Sequence, residues 1–152
     1  MNIKPIAYYQ SPLKSKFGVP RQSGIATHLV GKIVMEKEWN NPECLRGLED
    51  FDYLWILWGF SANVDSPKHP TVRPPRLGGN RRMGVFATRS SFRPNNIGIS
   101  AVRILSLTIF PGKPIEIEVS GADLMNGTPI YDIKPYLPEF DAHPNVRGGF
   151  AS

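Results

Sequence analysis

The chain is 152 residues long, enough for one domain with a buried core, and its 41% hydrophobic and 20% charged residues exclude a disordered chain. A single cysteine, Cys44, excludes an intrachain disulfide, and no run approaches the ~20 apolar residues of a membrane-crossing helix. The net charge of +5 is concentrated: from Ser66 to Ile115 there is no acidic residue, while Lys68, Arg73, Arg76, Arg81, Arg82, Arg89, Arg93, Arg103 and Lys113 fall inside that stretch, a pattern that suits a polyanion.

In chain order, the opening MNIKPIAYYQS has no apolar run of signal-peptide length, so the expected compartment is the cytoplasm. Runs of β-branched and aromatic residues predict strands over Ile3 to Tyr9, Leu29 to Met35, Tyr53 to Phe60, Met83 to Thr88, Ile97 to Phe110 and Ile115 to Val119. Tyr53 to Trp58 is apolar on both faces and reads as a central strand with Trp55 and Trp58 in the core, whereas Ile115 to Val119 alternates and reads as half-buried. A short helix is expected over Pro42 to Leu48, capped by Asn41, with Pro42 in its first turn. Fifteen prolines and fourteen glycines demand many turns. The fold class is therefore all-β, a small closed or partly open barrel with one or two short helices. A barrel domain over residues 1–140 and a flexible, glycine-rich tail over 141–152 are expected.

Three segments carry chemistry. Phe17 to Gln22 is a proline-stiffened loop presenting Arg21, a bidentate donor, and Gln22, both donor and acceptor. In Arg89-Ser-Ser-Phe-Arg93-Pro-Asn95-Asn-Ile-Gly98, two arginines flank Phe92 and Pro94 holds Arg93 extended. In Asp123 to Tyr136, the Asn126-Gly127 turn signal precedes Asp132, Lys134 and Tyr136, and this stretch reads as an irregular loop crowded with ionisable groups. Phe92, Tyr131 and Tyr136 are the stacking candidates for a nucleobase. His28, His69, His143 and Cys44 lack metal-ligand spacing, so no metal is expected. The LGGN at Leu77 to Asn80 runs into arginines and a strand, which is not the setting of a phosphate loop.

Taken in order, FGVPRQSG, LRGLEDFDYLWILWGF, TVRPPRLGGNRRMGVFATRSSFRPNNIGIS and DLMNGTPIYDIKPYLP closely resemble the TrmO family, also called TsaA-like or YaeB-like, from about Ile6 to Phe140. The resemblance implies a small β-barrel that uses S-adenosylmethionine without a Rossmann domain. It implies methylation of the exocyclic nitrogen of a threonylcarbamoyl-adenosine beside the tRNA anticodon, by a homodimer with the cofactor near the subunit interface. Carried over by motif, the cofactor contacts are Pro20, Arg21, Gln22, Ser61, Ala62, Arg89, Ile99, Asp123, Leu124, Met125 and Asn126. Asp132 is the first candidate for general base and Asp123 the second, from their placement on the presumed irregular loop. Arg73, Arg76, Arg81, Arg82, Arg93, Asn95, Lys134 and Tyr136 are the expected contacts to the anticodon stem-loop. The chain departs from the family pattern at Ser61, commonly His, at Asn96, commonly Pro, and at Asn126, commonly Asp. Two other readings accompany this one: a non-catalytic RNA-binding barrel, and a methyltransferase acting on another substrate.

Overall fold

The computed structural model describes residues 1–12, 30–60, 65–74 and 81–149. The chain divides into two compact units, Met1–Gly59 with Ile99–Tyr136, and Phe60–Gly98 with Leu137–Ser152. The first carries a closed antiparallel barrel. Its strands are β1 (Ala7–Gln10), β2 (Val30–Met35), β3 (Tyr53–Gly59), β6 (Ile97–Thr108), β7 (Glu116–Ser120) and β8 (Pro129–Pro135), in the order β1-β2-β7-β6-β3-β8. β8 returns to β1 through Ala7↔Ile130 and Tyr8↔Pro129, which seals the ring and leaves no open edge in it.

The pleat fixes which residues fill the barrel. Ile33 lies opposite both Tyr9 and Ile117, and all three are buried. Ala7, Leu54, Ile56, Val102, Val119 and Ile130 complete the interior. The alternation read in Ile115 to Val119 holds, with Ile117 and Val119 buried and Glu116 and Glu118 half-exposed. β3 lies between β6 and β8 as expected of a central strand, but its tryptophans separate. Trp58 packs against the core and donates its indole N–H to Ser100 Oγ at 3.0 Å. Trp55 alternates with buried Leu54 and Ile56 and lies half-buried against Tyr136, ring centroids 5.4 Å apart.

Three elements differ from the expectation. The helix over Pro42 to Leu48 is two 3₁₀ turns, Pro42–Leu45 and Leu48–Asp50, separated by Gly47 at φ 92, a conformation that ends a right-handed helix. The Asn41 cap does form, its side chain accepting from Glu43 N at 3.0 Å. The strand expected over Met83 to Thr88 stops at Gly84. There β5 (Met83–Gly84) pairs only with β4 (Thr71–Val72), and Val85–Ala87 curls into a 3₁₀ turn whose Val85 carbonyl accepts from Thr88 Oγ1. Most consequential, Pro129–Pro135 is not an irregular loop but strand β8. Its prolines sit at the two ends, where a missing N–H is tolerated. Ile130 and the partly buried Ile133 pack on the core.

In the second unit, the helix α1 (Pro138–Asp141) has its preceding Leu137 N–H held by Asp141 Oδ2 at 2.8 Å. No helix among the described residues is long and apolar enough to cross a membrane.

Candidate functional site

Antiparallel pairing brings the end of β1, the start of β2, the end of β7 and the start of β8 to one rim of the barrel, as Tyr8↔Pro129 and Val30↔Ser120 record. The chain leaves β7 there and turns through residues 121–128 into β8. This turn is held from several sides. Gly121 and Gly127 take φ 91 and 87, where an L side chain is strained. Ala122 and Leu124 point into the core. Gly127 N donates to Tyr9 O at 2.7 Å, and Tyr9 N donates to Thr128 O at 2.8 Å. Thr128 Oγ1 donates to Met125 O at 2.7 Å, and Asn126 Oδ1 accepts from Ser11 N at 3.0 Å. What remains outside is Asp123, Met125 and Asn126, presented on a backbone with little freedom. An acceptor oxygen is all the Ser11 N–H requires at position 126, and an asparagine supplies it as an aspartate would.

Behind the turn lies Tyr9. Its phenol is pushed above the ordinary tyrosine range, first by burial and second by the Asp123 carboxylate. Its ring lies over Gly31 so closely that a Cβ there would sit 1.9 Å from the hydroxyl. Sequence reading missed Tyr9, Ser11 and Gly31 as supports of this turn. The signal available was a glycine inside a strand, which marks a close approach.

The second unit holds the arginine-rich segment. Arg73, Arg81 and Arg89 are exposed, and exposed Arg82 donates to Thr71 Oγ1 at 3.0 Å. Arg93 turns one arm inward, Nη1 donating to Thr88 O at 2.9 Å and to Ser90 O at 3.3 Å, so it braces its own loop. Asn95 is exposed. Asn96 is buried at φ 52 and works through its side chain: Lys68 Nζ donates to Oδ1 at 2.8 Å, and Nδ2 donates to Ser91 O at 2.9 Å. A proline, fixed near φ of about −65°, could neither adopt this backbone nor make these bonds.

A family model described as the tRNA-methyltransferase O N-terminal domain matches residues 8–142. The chain belongs to this family. It is 45% identical over 146 residues to the tRNA (adenine(37)-N6)-methyltransferase of Escherichia coli strain K12, covering 96% of this chain and 62% of that protein. It is 35% identical over 147 residues to a probable S-adenosyl-L-methionine-binding protein of Pyrococcus abyssi, covering 97% of this chain and 74% of that one. The crystal structure of TrmO from Pseudomonas aeruginosa superposes with a TM-score of 0.75 at 35% identity, over 99% of this chain and 62% of that chain. The chain thus spans less than two thirds of the length of the Escherichia coli relative.

Of the residues expected from the resemblance to contact the cofactor, Asp123, Leu124, Met125 and Asn126 share the rim turn, with Leu124 buried and serving as its anchor. Ile99 is the third residue of β6, exposed on the barrel's outer side. Arg89 is exposed in the second unit. Pro20, Arg21, Gln22, Ser61, Ala62 and Arg76 lie outside the described residues. The structure does not bring Asp132 to the rim turn. Because β8 is extended, Asp132 stands four residues past Thr128, roughly 13 Å along the strand. Its Oδ1 accepts from Ile133 N, and its Oδ2 is 2.9 Å from Lys134 Nζ. Asp132 instead lines a cavity of about 460 Å³ with Ile6, Met35, Leu45, Phe51 and Pro135. Tyr136 packs against Tyr53 and Trp55, centroids 6.1 and 5.4 Å away. Among the described residues no cluster of His, Cys, Asp and Glu could hold a metal ion.

Proposed function

We propose that this chain is the methyl-transfer domain of an S-adenosylmethionine-dependent enzyme that methylates N6 of adenosine 37 in tRNA, taking the threonylcarbamoylated form of that nucleoside as substrate. The observation that carries the reading is identity of 45% across 96% of the chain to a protein named tRNA (adenine(37)-N6)-methyltransferase. The rim turn suits the cofactor chemically. Asn126 offers an amide for ribose hydroxyls, and the exposed Met125 and Ile99 offer apolar surface for the methionine carbon chain or the adenine. When bound, S-adenosylmethionine supplies an electrophilic methyl group on a sulfonium.

The remaining work falls to the protein. The adenine N6 lone pair is delocalised into the ring and the carbamoyl group, so the nitrogen is a poor nucleophile. As the N6–CH₃ bond forms and the S–CH₃ bond breaks, the N6 proton must leave, and a positioned carboxylate that takes it contributes about 10²–10⁴ in rate. Asp123 is the better placed of the two candidates, because it is exposed on the rigid rim turn whereas Asp132 already neutralises Lys134. Holding the reacting atoms in line, about 3–3.5 Å apart, is the larger contribution, and the doubly clasped turn supplies that rigidity. Arg73, Arg81 and Arg82 hold tRNA phosphates around the anticodon loop, which sets register. The working form is a homodimer in the cytoplasm with the cofactor near the subunit interface. Exposed Ile99 and Ala101, alternating along β6 ahead of exposed Arg103, support an apolar contact beside the Ile99 position.

The test is incubation of the chain with labelled S-adenosylmethionine and total tRNA from cells lacking the activity, followed by nucleoside mass analysis. A new methyl on threonylcarbamoyl-adenosine is the expected product. Label on another nucleoside, or none with cofactor binding intact, refutes the assignment. Sedimentation of the same sample reads the oligomeric state.

A further inference from the structure

Phe86 is 79% exposed and Phe92 47% exposed, both on the acid-free arginine segment. Leaving a phenyl ring in water forgoes the stabilisation its burial would contribute. Neither ring is on a loose loop. Phe86 is the middle residue of the 3₁₀ turn Val85–Ala87. Val85 beside it is buried, and Val85 N donates to Pro70 O at 2.8 Å. Thr88 Oγ1 closes the turn onto Val85 O at 2.9 Å. Phe92 N donates to Ser90 Oγ at 3.1 Å, and the Arg93 guanidinium ties the same loop to Thr88 O. The fold therefore fixes two backbone positions and leaves flat apolar rings exposed on a segment that also carries exposed Arg81 and Arg82 and the braced Arg93.

A partner for such a surface must offer negative charge and flat π faces together, at a spacing set by rigid turns. Unpaired bases on a phosphate backbone meet both demands. An anionic membrane would be met by an amphipathic helix, and these rings are carried by 3₁₀ and irregular turns. We propose that Phe86 and Phe92 are stacking platforms for unpaired bases of an RNA loop, with Arg81 and Arg82 on the flanking phosphates. This deepens the tRNA reading above and rests on it for the identity of the RNA.

The experiment is fluorescence anisotropy with a labelled anticodon-arm stem-loop and, separately, a fully paired RNA duplex of similar length, at fixed and at varied salt. Phe86→Ala and Phe92→Ala should each weaken stem-loop binding roughly 5- to 100-fold. They should leave duplex binding, the salt slope and the melting temperature unchanged, and Phe86→Trp should restore affinity. Unchanged stem-loop affinity in both alanine variants, equal losses on loop and duplex, or no binding by the wild type overturns the proposal. So does loss of a dimer in sedimentation on Phe86→Ala, which would seat the ring on a second copy. Ring-dependent binding to phosphatidylserine vesicles with normal RNA affinity would assign the rings to a membrane and equally overturn it. The two readings fail separately: ring-dependent stem-loop binding without methyl transfer sinks the enzyme, and methyl transfer without ring dependence sinks the platform.

Discussion

Replacing Gly31 by alanine tests how the barrel core is coupled to the rim turn. A Cβ at position 31 would lie 1.9 Å from Tyr9 Oη, 2.2 Å from Cζ and 2.8 Å from Cε1. Ordinary carbon contacts are about 3.5–4.0 Å, so the ring must withdraw by about 1.3–1.8 Å. Tyr9 is only 2% exposed and faces Ile33 inside a closed barrel, so no space awaits the ring. Overpacking of this kind costs about 1–3 kcal/mol, and the depth of the overlap argues for the upper end. For a domain of this size that is a fall in Tm of about 6–12 °C. The effect should reach function because Tyr9 exchanges backbone bonds of 2.7 and 2.8 Å with Gly127 and Thr128. Distorting one such bond is worth about 1–1.5 kcal/mol, close to a tenfold loss of S-adenosylmethionine affinity. Urea denaturation followed by circular dichroism reads the first effect and calorimetric titration of the cofactor the second. In the double variant Gly31→Ala/Tyr9→Leu the clash is gone, so the two costs should fall short of additivity by at least ~1 kcal/mol. A Gly31→Ala protein with wild-type stability and cofactor affinity would refute the coupling.

Asp123→Asn should lower turnover by about 10²–10⁴ with tRNA binding little changed, and Asp132→Asn should be milder. Single-turnover rates showing the reverse order would make Asp132 the base. Arg81→Ala with Arg82→Ala should weaken tRNA binding and flatten the log K against log salt slope by roughly 1.4–1.8, so an unchanged slope would put the phosphates elsewhere. The raised Tyr9 phenol stabilises the fold fully below the unfolded tyrosine value of about 10, and that stability is lost as pH rises from there through the higher folded value. Thermal melts should therefore fall more steeply above that pH in the wild type than in Tyr9→Phe, and parallel curves would contradict the linkage.

Several features of this protein were legible in its sequence because they depend on local chemistry. Ile117 and Val119 alternate with glutamates, so one face of that strand had to be inside. Asn41 before Pro42 marked a helix cap, and that cap forms, although on a 3₁₀ turn. The ordered motif blocks named the family that the comparison over residues 8–142 bears out. Tertiary structure alone decided the rest. Pro129 and Pro135 made β8 look like a loop, yet pairing with β1 and β3 closes the barrel through it, and an extended chain carries Asp132 away from Asp123. Trp55 and Trp58 have identical propensities, and only the position of each in the pleat separates a half-buried ring on Tyr136 from one packed against the core. Nor does local sequence show that Tyr9 lies across Gly31 and fastens the turn at residues 123–128, because those contacts join strands far apart in the chain. Local pattern constrains which side of an element is wet, whereas which distant side chains meet there is set by the closure of the barrel.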